Sequence, residues 1–100
     1  MDSKLITIFW RDIPAQITAQ HGRVKEKALL DARFQNAIDR AAAVAGLTDT
    51  DSYISQWHKK SVKCEDDLAS AVASEAAKIE NAYPNKRLNQ LVKQGGVENS

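Results

Sequence analysis

Three features of this 100-residue chain predict an α+β fold built on a small, largely antiparallel sheet. Strand-like segments crowd the first third, between residues 5 and 30. Helical stripes dominate the rest, at 34–45 and 68–83. One short strand candidate, 58–64, lies between those stripes. Runs of strands followed by runs of helices, rather than strict alternation, place the helices on one face of the sheet. The expected order is β-β-β-α-α-β-α-α. Residues 1–96 should form one domain, with a flexible tail at 97–100.

The first strand is Leu5-Ile6-Thr7-Ile8-Phe9-Trp10, β-branched and aromatic, and apolar on both alternating sets. Such a strand is expected in the middle of its sheet with cover on both sides, here from the Phe34 and Leu68 stripes. Pro14 has no amide hydrogen and drives Ile13 towards extended backbone, so the strand should end or bend near Asp12. The segment "RDIP" is expected to leave the sheet there, at its rim. Ala15, Ile17 and Ala19 then alternate with polar residues as a half-buried strand. His21-Gly22 supplies a turn. In the return strand Val24, Ala28 and Leu30 should point inward and Lys25 and Lys27 outward. Helix competes over 24–30, because Lys, Glu, Ala and Leu are good helix formers.

Asp31 is placed as an N-cap. Phe34, Ile38, Ala41 and Ala45 then recur on one helical stripe. Gly46 should end that helix as a C′ residue, with Leu47 closing the apolar contact. Residues 48–51 form a turn and cap cluster. Tyr53, Ile54 and Trp57 fit a short helix with an aromatic face. In strand 58–64, Val62 and Cys64 should face in, and the flanking lysines suit an edge. Glu65, Asp66 and Asp67 complement a helix N-terminus. Leu68, Val72, Ala76, Ile79 and Tyr83 form the cleanest stripe, stopped by Pro84. Asn85 caps a last helix through Leu88, Leu91 and Val92, closed by Gly95-Gly96.

Composition narrows the function classes. A chain 43% hydrophobic and 27% charged can bury a core. A net charge of +1 sets up no global field for nucleic acid or an anionic membrane. No apolar run approaches the roughly 20 residues of a membrane helix, and Met1-Asp2-Ser3-Lys4 lacks the build of a signal peptide. Cys64 is the single cysteine, which excludes an internal disulfide and fits a reducing compartment, most simply a bacterial cytoplasm.

Metal binding would have to use His21, His58 and Cys64, and no pair of them has a ligand spacing. No metal and no other cofactor is expected. All four glycines, Gly22, Gly46, Gly95 and Gly96, sit at turns or helix ends, so neither a phosphate loop nor a nucleophile elbow is present. His58 and Cys64 lie six apart on a strand, on one face but roughly 20 Å from each other. Cys64 therefore reads as a small core residue.

The pair Arg11-Asp12 is open to two readings. Charges at a strand end commonly satisfy loop backbone or a helix end. They could also line a ligand crevice, with Arg11 gripping an anion bidentately and Asp12 acting as acceptor or base. A nucleic-acid surface is the third class. Arg23, Lys25, Lys27, Lys59, Lys60 and Lys63 lie on or beside strands near Trp57 and His58. They would form a basic patch only if the hairpin and the edge strand expose the same face. Lysine is also the ordinary guard of an edge strand, Glu26 interrupts the row, and no aromatic RNA-binding motif occupies a strand.

The segments ITIFWRDIPAQI, RFQNAIDRAAAVAGL, DSYISQW, DDLASAVASEAAKIE and YPNKRL resemble a family of small bacterial proteins, common in alphaproteobacteria, known only as "virulence factor". The similarity runs from about residue 4 to 95, and WRDIPAQ is its most specific part. The resemblance implies no catalytic residue. It implies a neighbourhood, folate- and corrinoid-dependent methyl transfer, where an accessory role would fit.

The sequence therefore leads to a cytoplasmic accessory module that binds another protein and is not itself an enzyme. Its binding residues are expected to be Trp10, Arg11, Asp12, Pro14, Gln16 and Trp57, because Trp anchors interfaces well. A membrane partner is not expected, nucleic acid ranks below protein, and self-association is left open.

Overall fold

The computed structural model describes residues 3–98. Its elements are β1 (Ser3–Trp10), β2 (Ile13–His21), β3 (Val24–Leu29), α1 (Ala32–Ala45), α2 (Thr50–Ile54), β4 (Trp57–Cys64), α3 (Leu68–Ala82) and α4 (Asn85–Lys93). The order and type of all eight agree with the sequence. The sheet is antiparallel throughout, with strand order β3-β2-β1-β4. Strand β1 is therefore central, and β4 is an edge as its lysines predicted.

Register fixes which side chains share a face. Ser3, Leu5 and Thr7 of β1 stand opposite His21, Ala19 and Ile17 of β2, and Ser3, Leu5, Thr7, Ile17 and Ala19 are all buried. Helix α3 lies across β2, β3 and β1, while α1 packs on α4 and on β2. Phe34, Ile38 and Ala41 of α1, Leu68, Val72 and Ile79 of α3, and Leu88, Leu91 and Val92 of α4 complete the core. Burying such side chains at about 1.5–3 kcal/mol each supplies the driving force.

The other face of the sheet has no helix over Ile6 and Ile8. Ile6 and Ile8 of β1, with Thr18 and Gln16 opposite them, are only half-buried. The expectation that β1 is sandwiched on both sides is thus corrected: one face is packed and one is open. Both alternating sets of β1 are apolar, yet its partner strand carries polar Gln16, Thr18 and Gln20 on the second face. That combination is the signature of an antiparallel sheet with one solvated side.

The exit of the chain at Arg11 is corrected too. The strand does not leave the sheet at "RDIP". Arg11 and Asp12 form the two-residue turn of a hairpin, and Ile13 already pairs with Trp10. Pro14 is accommodated because the pairing slips between Ile8 and Phe9: Gln16 opposes Ile8 and Pro14 opposes Phe9. A bulge is one of the few places where a strand tolerates proline.

Smaller differences follow local geometry. Trp57 opens β4 opposite Trp10 and does not belong to the short helix. Val62 and Val24, placed inward by alternation, are 59% and 61% exposed because each is on an edge strand that the helices do not fully cover. Asp31 precedes α1 but makes no side-chain cap hydrogen bond; its carboxylate is 3.4 Å from Arg33 Nε. Asp49 and Asp67 do cap, accepting from the Ser52 and Ser70 amides at 3.2 and 3.1 Å. Gly46 ends α1 in left-handed backbone at φ 73°, as a C′ glycine should. Of the expected tail at 97–100, residues 99 and 100 lie outside the described residues. Val97 is exposed, and Glu98 is held by Arg87 through both carboxylate oxygens at 3.0 and 3.1 Å.

Candidate functional site

The expected binding residues divide into two groups. Trp10 is fully buried, and so is Pro14 beside it at the bulge. The Trp10 ring packs on Gly96, stacks at 5.6 Å on Tyr53, and its Nε1 donates to the Tyr53 carbonyl at 2.9 Å. The indole is thus the plug of the hairpin end, with its polar handle satisfied internally.

Arg11 has φ 54°, the only positive φ outside glycine among the described residues. Left-handed backbone costs a residue with a Cβ about 1–2 kcal/mol, so its surroundings must hold it. Its amide donates to the Gln56 carbonyl at 3.1 Å, Nε to Gln56 Oε1 at 3.0 Å, and Nη1 to the Gly95 carbonyl at 3.1 Å. The guanidinium also lies 5.7 Å from the Trp10 ring centroid. His58 Nε2 donates to the Arg11 carbonyl. Asp12 completes the clasp: its amide donates to the Gly96 carbonyl at 2.9 Å, and its Oδ2 accepts from the Glu98 amide at 2.6 Å. Arg11 and Asp12 thereby tie the β1–β2 turn to the start of β4 and to the segment after α4. Two nitrogens of the guanidinium, Nε and Nη1, face protein oxygens, so these bonds serve the fold.

Gln16 and Trp57 belong to the second group, on the open face. Register lays that face out in rows across the strands. One row runs Lys25, Gln20, Lys4, Lys63. The next runs Lys27, Thr18, Ile6, Ser61, and the third Leu29, Gln16, Ile8, Lys59. Trp57 follows Lys59 by two residues and joins Ile8, His58 and Lys59 around a cavity of about 260 Å³. Its ring meets Tyr53 edge-on at 6.0 Å. Leu29 is 73% exposed.

Every ionisable residue in these rows is a lysine. Lys4, Lys25, Lys27 and Lys59 make no ion pair within the described residues, whereas Lys63 has a partner of its own. Glu26, which interrupts the lysines in the chain, opposes Ala19 and so belongs to the helix side. Lys60 also has the opposite parity, and its ammonium lies 5.3 Å from the Phe9 ring centroid. The hairpin and the edge strand therefore do expose one basic face.

The nucleophile and metal candidates come apart. His58 and Cys64 sit at opposite ends of β4, paired with Phe9 and Ser3. His58 stacks on Phe9 at 5.4 Å with the planes 10° apart. Desolvation, with Glu65 and Asp66 adding negative charge, pushes the Cys64 thiol above its ordinary range, so thiolate is scarce at neutral pH. No group of three metal-ligating side chains occurs among the described residues.

One cluster escaped the sequence. Buried Ser3 donates from Oγ to Asp66 Oδ1 at 2.8 Å and accepts from His21 Nδ1 at 2.9 Å. Serine stands between the other two, so the histidine does not bridge serine and aspartate as a hydrolytic triad requires. The contact staples β1 to the approach of α3, beside a cavity of about 440 Å³ that includes His21, Glu26, Asp66 and Asp67. No local signal could have joined residues 63 positions apart.

None of the described helices is long and apolar enough to cross a membrane. No curated protein and no solved structure matches the chain. The family model described as "Virulence factor" does match, over residues 8–92, a span that includes the Arg11-Asp12 turn, the bulge, the open face from Ile8 onward and the first three helices whole; the chain belongs to the Virulence factor family.

Proposed function

We propose that this protein is a non-enzymatic binding module whose working surface is the open face of its sheet. The observation behind this is that a four-stranded sheet leaves one face without helical cover while placing Ile6, Ile8 and Leu29 on it. Aliphatic side chains grouped on a face, edged by charge, are the anatomy of a docking site. The partner is another protein, and the accessory role sits in the cytoplasm, in the one-carbon neighbourhood that the family resemblance implies.

In this reading the six residues expected from the sequence serve one site in two ways. Gln16 and Trp57 contact the partner. Trp10, Arg11, Asp12 and Pro14 fix the hairpin and the start of β4, and so set the angle at which Trp57 is presented. Arg11 and Asp12 are thereby positioning residues, which supports a binding role over a catalytic one.

In-cell photocrosslinking tests the proposal. A photoreactive phenylalanine analogue replaces Gln16 on the open face or, as a control, Ala73 on the exposed side of α3. A defined protein adduct is expected from position 16 and not from 73. Equal yields from both positions, or no adduct from position 16, would refute it.

A further inference from the structure

We infer that the occupant of the open face is an acidic amphipathic helical segment of the partner, with leucine-like residues on one stripe and carboxylates along its flanks. This rests on the docking reading above and names the chemistry of what docks. Charge complementarity argues for it first. Lys4, Lys25, Lys27 and Lys59 surround Ile6 and Ile8, and no row contains a carboxylate. The chain as a whole has 13 acidic residues and a net charge of only +1. Among the described residues, the carboxylates stand outside these three rows.

Edge protection alone does not explain the pattern. It accounts for Lys25, Lys27 and Lys59, which lie on the outer strands. It does not account for Lys4, which lies on a strand with neighbours on both sides. Nor does it explain why Lys4, Lys25, Lys27 and Lys59 all fall on the uncovered face.

Size selects a segment over a globular surface. Three interstrand spacings and two two-residue steps make a platform of about 14 by 14 Å, well below the roughly 800 Å² per partner of a standard interface. About three helical turns, at 5.4 Å each, span it. Side-chain chemistry selects protein over nucleic acid. The three rows contain no aromatic ring and no arginine, so bases find only Trp57, beyond the end of the third row, to stack on and no run of rings to follow. Aliphatic Ile6, Ile8 and Leu29 instead match a leucine stripe.

Titration of the isotope-labelled chain, followed by backbone amide shifts, decides the matter. The probes are a synthetic peptide with leucines at i, i+3, i+4 and i+7 and glutamates elsewhere, a scrambled peptide of the same composition, and oligothymidylate. The patterned peptide should shift amides in 4–8, 16–20, 25–29 and 59–63 and leave the exposed side of α3 unchanged. Its affinity should weaken severalfold as ionic strength rises from about 0.01 M to about 0.15 M, because the screening length drops from roughly 30 to 8 Å. The double variant Lys27→Glu/Lys59→Glu should lose about tenfold, since two rim attractions become repulsions. Equal binding of the scrambled peptide, tighter binding of oligothymidylate, or shifts confined to the helix side would each overturn the inference. Absence of peptide binding alongside a crosslink from position 16 would sink the acidic-helix chemistry and leave the docking module standing.

Discussion

Leu5 and Ile6 are neighbours in the chain, similar in size and apolarity, and they live in different surroundings. Leu5 points into the core beneath α3 and is 8% exposed, while Ile6 points to a face that no helix covers. The same contrast separates Thr7 from Ile8. A strand's own pattern thus does not decide its cover. The strand beside it does: buried Ala19 and Ile17 flank the packed side, and Thr18 and Gln16 flank the open one. A face that keeps isoleucines without burying them invites a functional explanation, whereas the packed face is explained by stability alone.

Several substitutions sharpen or break this contrast. The largest effect is expected at the buried hairpin end. Trp10→Ala empties the hairpin end and should cost about 3–5 kcal/mol in equilibrium denaturation. Gly96→Ala comes next, because a Cβ there would sit 2.9 Å from the Trp10 ring at a φ of +90°. A loss of about 2–3 kcal/mol is expected from overpacking and left-handed strain together. Arg11→Ala should cost about 1–2 kcal/mol through lost charged hydrogen bonds. Arg11→Gly should be milder by about 0.5–1 kcal/mol, because glycine tolerates the positive φ. If glycine proved worse than alanine at this position, the strain assigned to the turn would be wrong.

Ile6→Ala lies on the open side and should cost about 1 kcal/mol or less, far below a core truncation. The smallest expected effect is chemical. Cys64 should react with iodoacetamide more slowly than a free model thiol at pH 8, since its thiol titrates above the ordinary value. As pH rises, the unfolded chain loses this proton before the folded one does. Stability should therefore fall slightly as pH passes the unfolded thiol pKa of about 8.5. A rate matching the model thiol would remove the desolvation attributed to this corner.

Much of the fold was legible from local signals. The stripes of Phe34, Ile38 and Ala41 and of Leu68, Val72 and Ile79 gave two helices their faces, and Pro84 and Gly46 marked their ends. Two kinds of information were hidden. One was pairing, because the bulge that lets Pro14 stay in β2 exists only in relation to Phe9 across the hairpin. Proline therefore looked like an exit from the sheet. The other was long-range contact. Arg11 and Asp12 find their partners at Gln56, Gly95, Gly96 and Glu98, and nothing near residue 11 announces them. The candidate face was partly visible. In the sequence, lysines on the hairpin and on the edge strand make a patch only on a condition, and antiparallel register supplies it. Ile6, Ile8 and Lys4 were missed because a central strand was expected to be covered. Polar Gln16, Thr18 and Gln20 on the neighbouring strand were the available clue.

The most direct measurement pairs two aspartate substitutions on opposite faces of β1. Leu5→Asp and Ile8→Asp are denatured with urea beside the parent chain, and each folded variant is then tested for the crosslink from position 16. Leu5→Asp should unfold the protein or lower its midpoint severely, because a carboxylate would enter the core. Ile8→Asp should keep a midpoint close to the parent and lose the crosslinked partner. Comparable destabilisation by both, or an Ile8→Asp chain that still forms the adduct in full, would contradict an open docking face.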